Sequence, residues 1–227
     1  MPFPDLAERV SEVRGRIEVS VGRGGHGQVV RVVAVTKGHG PEAVEAAWRV
    51  GLGDVGENRV QEALRKMEAV TAPVRWHLIG HLQRNKVKWL DPFQLVHSLD
   101  SPRLTDAVHA FGAARGRPVE ALIQINVVAE ETKGGYAPSE IEREADRVAG
   151  LAGIRVLGVM AMAPLDADEP TLREVFGAAR KARALLAAAG LPATELSMGM
   201  SNDFEVAVEE GATLVRLGTV LFGARAA

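Results

Sequence analysis

The run Val29-Val30-Arg31-Val32-Val33-Ala34-Val35-Thr36-Lys37, with Pro41 four residues beyond it, decides how the rest of the chain is read. Val29 to Val35 is short, apolar and mostly β-branched, which suits a buried strand better than a helix. Pro41 then opens a helix reaching Val50, since proline is tolerated in a first turn whose amides lack partners anyway. One strand leading into one helix is a βα unit, and the question becomes how often the unit recurs.

It recurs to the end of the chain. Further strands are expected at Asp54 to Gly56, Arg75 to Ile79, Gln94 to His97, Val119 to Val127, Arg155 to Met162, Glu195 to Met198 and Leu214 to Leu217. Helices fall between them: Val60 to Val70, Leu82 to Leu90 stopped by Pro92, and a helix to Ala114 opened by the cap candidate Ser101 and Pro102. The series continues with Pro138 to Ala149, Glu169 to Ala189 closed by Gly190 and Pro192, Asn202 to Glu210, and one turn near Val220. Upstream, Leu6, Val10, Val13 and Ile17 repeat at helical spacing and set an extra helix over Leu6 to Val19. Strict alternation demands parallel strands, because each crossover returns the chain to the same end of the sheet. Eight units close into a (β/α)8, or TIM, barrel, here a single domain over residues 1–227 with an added N-terminal helix. An open doubly wound sheet is the competing architecture.

Composition removes several function classes. The chain has 227 residues, 47% of them apolar, so a large core can be buried. A formal net charge of -2, with acids and bases interleaved, argues against an electrostatic grip on nucleic acid or an anionic membrane. With no cysteine there is no disulfide or thiolate chemistry. The start, Met1-Pro2-Phe3-Pro4-Asp5, lacks the regions of a signal peptide, and no apolar run is long enough to span a bilayer. The expectation is a cytoplasmic protein. Charged outer helices, such as the one carrying Arg143, Glu144 and Arg147, suit a monomer.

Barrel chemistry sits at the carboxyl ends of the strands. The first strand ends in Thr36-Lys37. A lysine there is ordinarily a solvated charge, but a partly buried one becomes an amine able to attack a carbonyl. Glu57 and Asn58 follow the second strand, where either could cap the next helix. His77 and His81 lie four apart but straddle a strand end and Gly80, so they share no helical face and no third metal ligand is evident. Glu131-Thr132-Lys133-Gly134-Gly135 is either a surface loop or a cover for a ligand.

The last two strand ends say most. Ser197-Met198-Gly199-Met200-Ser201 and Arg216-Leu217-Gly218-Thr219 each offer a small residue, a hydroxyl and a helix start. Free backbone N–H groups there suit a phosphate, in the position where barrels commonly bind one. For Ser201 the plain alternative is an N-cap. Gly22-Arg23-Gly24-Gly25-His26-Gly27 fits the dinucleotide pattern but precedes a strand, so it reads as a flexible turn.

Six blocks in this order resemble the pyridoxal phosphate homeostasis family, also called the YggS/PROSC family. They are Ala34 to Lys37, Gly56 to Asn58, His77 to Gly80 with Leu82-Gln83 and Asn85-Lys86, Thr132 to Gly134, Leu196 to Ser201, and Val215 to Thr219 with Phe222-Gly223. The resemblance spans Val32 to Gly223. It implies a fold like the barrel domain of alanine racemase, with pyridoxal 5′-phosphate (PLP) carried as an aldimine on Lys37. Arg216 would face the pyridine nitrogen. Ser201, Gly218 and Thr219 would hold the phosphate, helped by Ser197 or Met200 through backbone groups, and Asn58 would sit beside the ring.

Those roles point to storage, buffering or delivery of PLP, with PLP-dependent apo-enzymes as recipients. A cationic Arg216 opposite the ring nitrogen would keep that nitrogen unprotonated and weaken the electron sink that most PLP catalysis needs. Alanine racemase also uses a tyrosine on the opposite face and a second, β-rich domain. Here the lone tyrosine is Tyr136, and Ala224 to Ala227 follow the last unit. A weak amino-acid racemase or other PLP enzyme remains the alternative. A class I aldolase is disfavoured because Leu157 to Met162 carries no lysine, and a partner-binding scaffold is the non-catalytic option.

Overall fold

The computed structural model describes residues 2–128 and 134–224. Its strands are β1 (Arg31–Val35), β2 (Asp54–Glu57), β3 (Arg75–Leu78), β4 (Leu95–Leu99), β5 (Val119–Gln124), β6 (Ile154–Met160), β7 (Glu195–Ser197) and β8 (Leu214–Leu217). They close in sequence order into a barrel, every neighbouring pair parallel, with β1 hydrogen-bonded to both β2 and β8. The helices are α1 (Leu6–Gly24), α2 (Pro41–Arg49), α3 (Val60–Ala69), α4 (Pro102–Ala114), α5 (Ile141–Ala149), α6 (Glu169–Ala188), α7 (Phe204–Glu209) and α8 (Thr219–Phe222). The expected (β/α)8 barrel with its extra N-terminal helix is therefore the fold. No helix among the described residues is long and apolar enough to cross a membrane.

Alternation along each strand divides the apolar side chains between two compartments. Outward residues such as Ala34, Val55, Leu78, Val96, Ile123, Val159, Leu196 and Val215 pack against the helices in one large cluster. The lumen holds a much smaller cluster built on Val33, Leu95, Leu122, Met160 and Leu214. Several other inward positions are polar, among them Asp54, His77, His97, Ser197 and Arg216, all buried. α1 buries Leu6, Val10, Val13 and Ile17, each about 1.5–3 kcal/mol when fully sequestered. It lies along α7 and α8, and Arg16 reaches Glu205 at 2.8 Å.

Several local expectations are corrected. The segment expected to be helical over Leu82 to Leu90 is a 3-10 helix over Arg84–Trp89. Val87 is its buried residue, and Leu90 and Phe93 beyond its end continue the three-residue spacing that suits this tighter helix. The helix expected from Pro138 begins with one 3-10 turn before α5. The fifth strand stops at Gln124, and Ile125 adds a lone bridge to Tyr136. Gly22 and Gly24 form the last turn of α1, not a flexible turn, and Gly25 ends the helix in the left-handed conformation. Ser101 does not cap α4 with its side chain; its hydroxyl donates to Asp100 instead.

Candidate functional site

A cavity of about 610 Å³ opens at the carboxyl ends of the strands. β1 contributes Lys37, β2 Asn58, β3 Ile79 to His81, β5 Gln124, and the segment beyond it Gly134. Met200 and Ser201 come from the end of β7, and Arg216, Gly218 and Thr219 from the end of β8. The closed barrel thus brings together residues separated by most of the chain. Of the expected site residues, Ser197 alone does not border the cavity; it lies below it, fully buried in the lumen. Lys133 and most of its loop lie outside the described residues.

One wall surrounds Lys37. The Thr36 hydroxyl donates to Glu57 Oε1 at 2.5 Å. Lys66 Nζ donates to that same oxygen at 2.6 Å, to the Thr36 carbonyl at 2.7 Å and to Glu62 Oε1 at 2.9 Å. Glu62 in turn accepts from the Gly38 N–H at 2.9 Å. Both neighbours of Lys37 are thereby tied to one ionic cluster, with Lys66 5% and Glu57 0% exposed. Burial pushes the Glu57 carboxyl up, against the pull of Lys66 and Thr36. Glu57 is consequently not a helix cap. Lys66 went unnoticed in the sequence, although Val60, Ala63 and Lys66 fall three apart on the buried face of α3.

The opposite wall is mostly backbone. Ser201 Oγ accepts from the Val220 N–H at 3.2 Å, stitching the turn after β7 to the start of α8. Ser201 does not cap α7, which begins after Asp203. The Met200 N–H donates to Asp203 Oδ1 at 2.5 Å. Burial raises the Asp203 carboxyl, while Met200 and Arg216 pull it down.

Between the walls sits Arg216, 4% exposed. Its Nη1 donates to the carbonyl and the hydroxyl of Ser197, each at 2.7 Å, and its Nη2 donates to the Ala161 carbonyl at 3.0 Å. These partners are neutral oxygens. Burial pushes its pKa down to about 10, with only Asp203 opposing, so it stays cationic at neutral pH. A buried cation held this way is left to be matched by an electron-rich ligand.

The two histidines and the tyrosine do not converge on one centre. His81 is exposed at the rim and pairs with Asp100 at 2.8 Å, whereas His77 points into the lumen, so the two never converge. Tyr136 is buried with its hydroxyl donating to Glu144 at 2.6 Å and within 3.0 Å of Thr105. Burial and Glu144 push that phenol far above its usual range.

An amine, a buried guanidinium and two hydroxyls beside glycine backbone form a donor set that fits an aromatic aldehyde carrying a phosphate. Comparison with known proteins agrees. The family described as alanine racemase, N-terminal domain, matches residues 18–226. A pyridoxal phosphate homeostasis protein of Aquifex aeolicus is 40% identical over 97% of this chain and 99% of its own. The structure of PipY from Synechococcus elongatus with PLP bound is 34% identical, covers 96% of this chain and all of that one, and superposes with a TM-score of 0.85. The alanine racemase of Corynebacterium glutamicum shares the fold alone, at 17% identity and a TM-score of 0.75 over 63% of its length. The chain belongs to the pyridoxal phosphate homeostasis protein family.

Proposed function

We propose that this chain, as one barrel domain, binds PLP with Lys37 as its covalent attachment point and serves vitamin B6 homeostasis by storage, buffering or delivery. The observation that carries the reading is Arg216. A buried cation braced by neutral oxygens opens into the same cavity as the strand-end lysine. Bound PLP supplies an aldehyde that condenses with a primary amine and a ring that withdraws electrons.

The residues divide that work. Thr36 and Gly38 hold the backbone on either side of Lys37 through the Lys66 cluster. Ser201, Gly218 and Thr219, with Met200 beside them, would hold the phosphate, and Asn58 would flank the ring. Arg216 keeps its proton, and facing the ring nitrogen it would leave that nitrogen without one. Ser197 acts from beneath, through Arg216.

A carrier role is favoured over turnover by Tyr136, whose hydroxyl is locked onto Glu144 outside the cavity and offers no second base. Weak racemase activity is the second reading, favoured by the fold shared with alanine racemase. Recipients would be PLP-dependent apo-enzymes in the cytoplasm, met by a monomer.

The test is the visible absorption spectrum of the purified protein with and without added PLP, for the parent and Lys37→Ala. The parent should show a band that borohydride bleaches, and the variant should not. A variant that keeps the band would move the attachment elsewhere. A parent with no band in excess PLP would end the PLP reading. Turnover of D- or L-alanine by the parent would favour the racemase.

A further inference from the structure

Below the cavity a chain of buried polar groups crosses the lumen, and none of its interior members borders the cavity. Asp54 Oδ1 lies 2.9 Å from His77 Nε2, His77 Nδ1 lies 2.9 Å from His97 Nε2, and His97 Nδ1 lies 2.8 Å from Ser197 Oγ. Arg216 Nη1 donates to that same Ser197 oxygen. Five strands thus contribute one group each: β2, β3, β4, β7 and β8. At the far end Arg75 clasps Asp54 through Nε at 2.8 Å and Nη2 at 2.6 Å.

With neutral imidazoles, the carboxylate end sets the direction of every hydrogen bond, and the guanidinium end is compatible with it. Guanidinium only donates, and an ionised carboxylate only accepts. Burial raises the Asp54 carboxyl, but hydrogen bonds from His77 and Arg75 outweigh it and hold the group well below the usual carboxylate range. His77 in its neutral form presents Nε2–H to Asp54 and leaves Nδ1 to accept from His97 Nε2–H. His97 Nδ1 then accepts the Ser197 hydroxyl proton, and Ser197 Oγ keeps a lone pair for Arg216. With both rings neutral, three protons serve three links and none is missing or spare. Burial, with the nearby cations Arg216 and Arg31, holds His97 in its neutral form.

We propose that Asp54, His77, His97 and Ser197 form a single-direction hydrogen-bond relay that positions the Arg216 guanidinium for the cofactor ring. This rests on PLP as the ligand of the cavity, with Arg216 opposite its ring. The relay explains why the lumen spends polar groups where barrels ordinarily place apolar layers. It also makes Arg216 geometry depend on a carboxylate at the opposite end of the barrel.

Two measurements test it separately from the PLP reading. Nitrogen-15 NMR of the imidazoles in protein free of PLP should show both His77 and His97 neutral, each protonated at Nε2 and bare at Nδ1. Protonation at Nδ1 of either ring, or a cationic pair at neutral pH, overturns the relay whatever the ligand. Then PLP is titrated into the parent, Ser197→Ala and Asp54→Asn, following affinity and the position of the absorption band. The variants should bind about tenfold more weakly, the scale of one charge-assisted hydrogen bond. Their band at saturation should be shifted, while borohydride still fixes PLP on Lys37. Ser197→Ala is the smaller change and keeps the test open should Asp54→Asn fail to fold. Variants with lower melting temperature but parental affinity and band would reduce the four residues to core packing and overturn the proposal. A parent that takes up no PLP sinks the functional reading, and with it the purpose assigned to the relay, even where the tautomers are as expected.

Discussion

On the β1–β2 side of the cavity the chain around Lys37 is held by charges sealed from water, with Lys66 serving Glu57, Glu62 and the Thr36 carbonyl at once. On the β7–β8 side the chain is held by backbone shape and two local side-chain contacts, Ser201 to Val220 and Asp203 to Met200. The difference follows from what each wall must do. The cluster acts on Thr36 and Gly38 and so fixes the backbone on either side of Lys37, which suits the amine role proposed for it. A phosphate is bound by N–H groups that must come close, so bulk rather than charge limits that wall. The first wall should fail on loss of a charge, and the second on gain of a methyl group.

Lys66→Met tests the first wall and should have the largest effect. Removing one partner of a buried ion pair leaves the other uncompensated, at a cost of about 3–5 kcal/mol. Thermal and urea melts of the ligand-free protein would read it, and adding Glu57→Gln should recover part of the loss. A loss under about 1 kcal/mol would mean that solvent reaches the cluster, as for surface pairs. On the second wall, Gly199 has φ +92°, and a side chain there would meet Ala207 Cβ at 2.7 Å and Phe204 Cα at 2.9 Å. Gly199→Ala should cost about 1–3 kcal/mol from backbone strain and overpacking, with charge state and salt making no difference.

The walls also differ in how legible they were. The β7–β8 wall, proposed to hold the phosphate, stood out in sequence, because Ser201, Arg216, Gly218 and Thr219 sit in short strand-end motifs whose chemistry is local. So did the barrel, since alternation of β-branched runs and amphipathic stretches needs no tertiary information. The amine wall was half read. Lys37 ends a strand in plain sight, but its support from Lys66 crosses from α3 to β1, and Glu57 looked like a cap because its partner lies nine residues on. The lumen relay was hidden further, since Asp54, His77, His97 and Ser197 are scattered over 144 positions and joined only when the barrel closes. Ser197 was expected near the phosphate and instead braces Arg216, because a residue still within β7 points into the lumen rather than to the rim.

Acid should probe the region between the walls. His97 is held neutral with a pKa well below the ordinary 6.5. Between that folded value and 6.5 the unfolded chain binds a proton that the native protein refuses, so stability falls as pH falls, by up to about 1.4 kcal/mol per pH unit. Above pH 6.5 this contribution is constant. The groups facing His97 are the imidazole of His77 from β3 and the cations Arg216 from β8 and Arg31 from β1, with Asp54 on β2 beyond His77 and Glu195 on β7 paired to Arg31. Glu57 and Asp203, whose carboxyls are raised, contribute with the opposite sign. The informative quantity is therefore the difference between the parent and His97→Gln, an amide that can still accept from Ser197 and donate to His77. Urea stability across pH 7 to 5 should fall more steeply in the parent. Parallel curves would mean that His97 takes up its proton without penalty.

The smallest expected effect on the fold sharpens the contrast most. Gly218 lies at the mouth of the same wall as Gly199, yet a side chain there would meet only Val35, at 3.5 Å, an ordinary contact. Its φ of -119° asks nothing special of the residue. Gly218→Ala should therefore leave stability of the ligand-free protein within about 0.5 kcal/mol. Its consequence should appear only on binding. If Gly218 backbone approaches the phosphate, the added methyl stands in the way, and PLP affinity should drop about tenfold, or about 1.4 kcal/mol. Pyridoxal, which lacks the phosphate, should bind parent and variant alike. Equal losses for PLP and pyridoxal would place the obstruction against the ring, and an unchanged PLP affinity would remove Gly218 from the phosphate cradle altogether. Two glycines in one turn-and-helix wall would then be separated cleanly, Gly199 by the fold and Gly218 by the ligand.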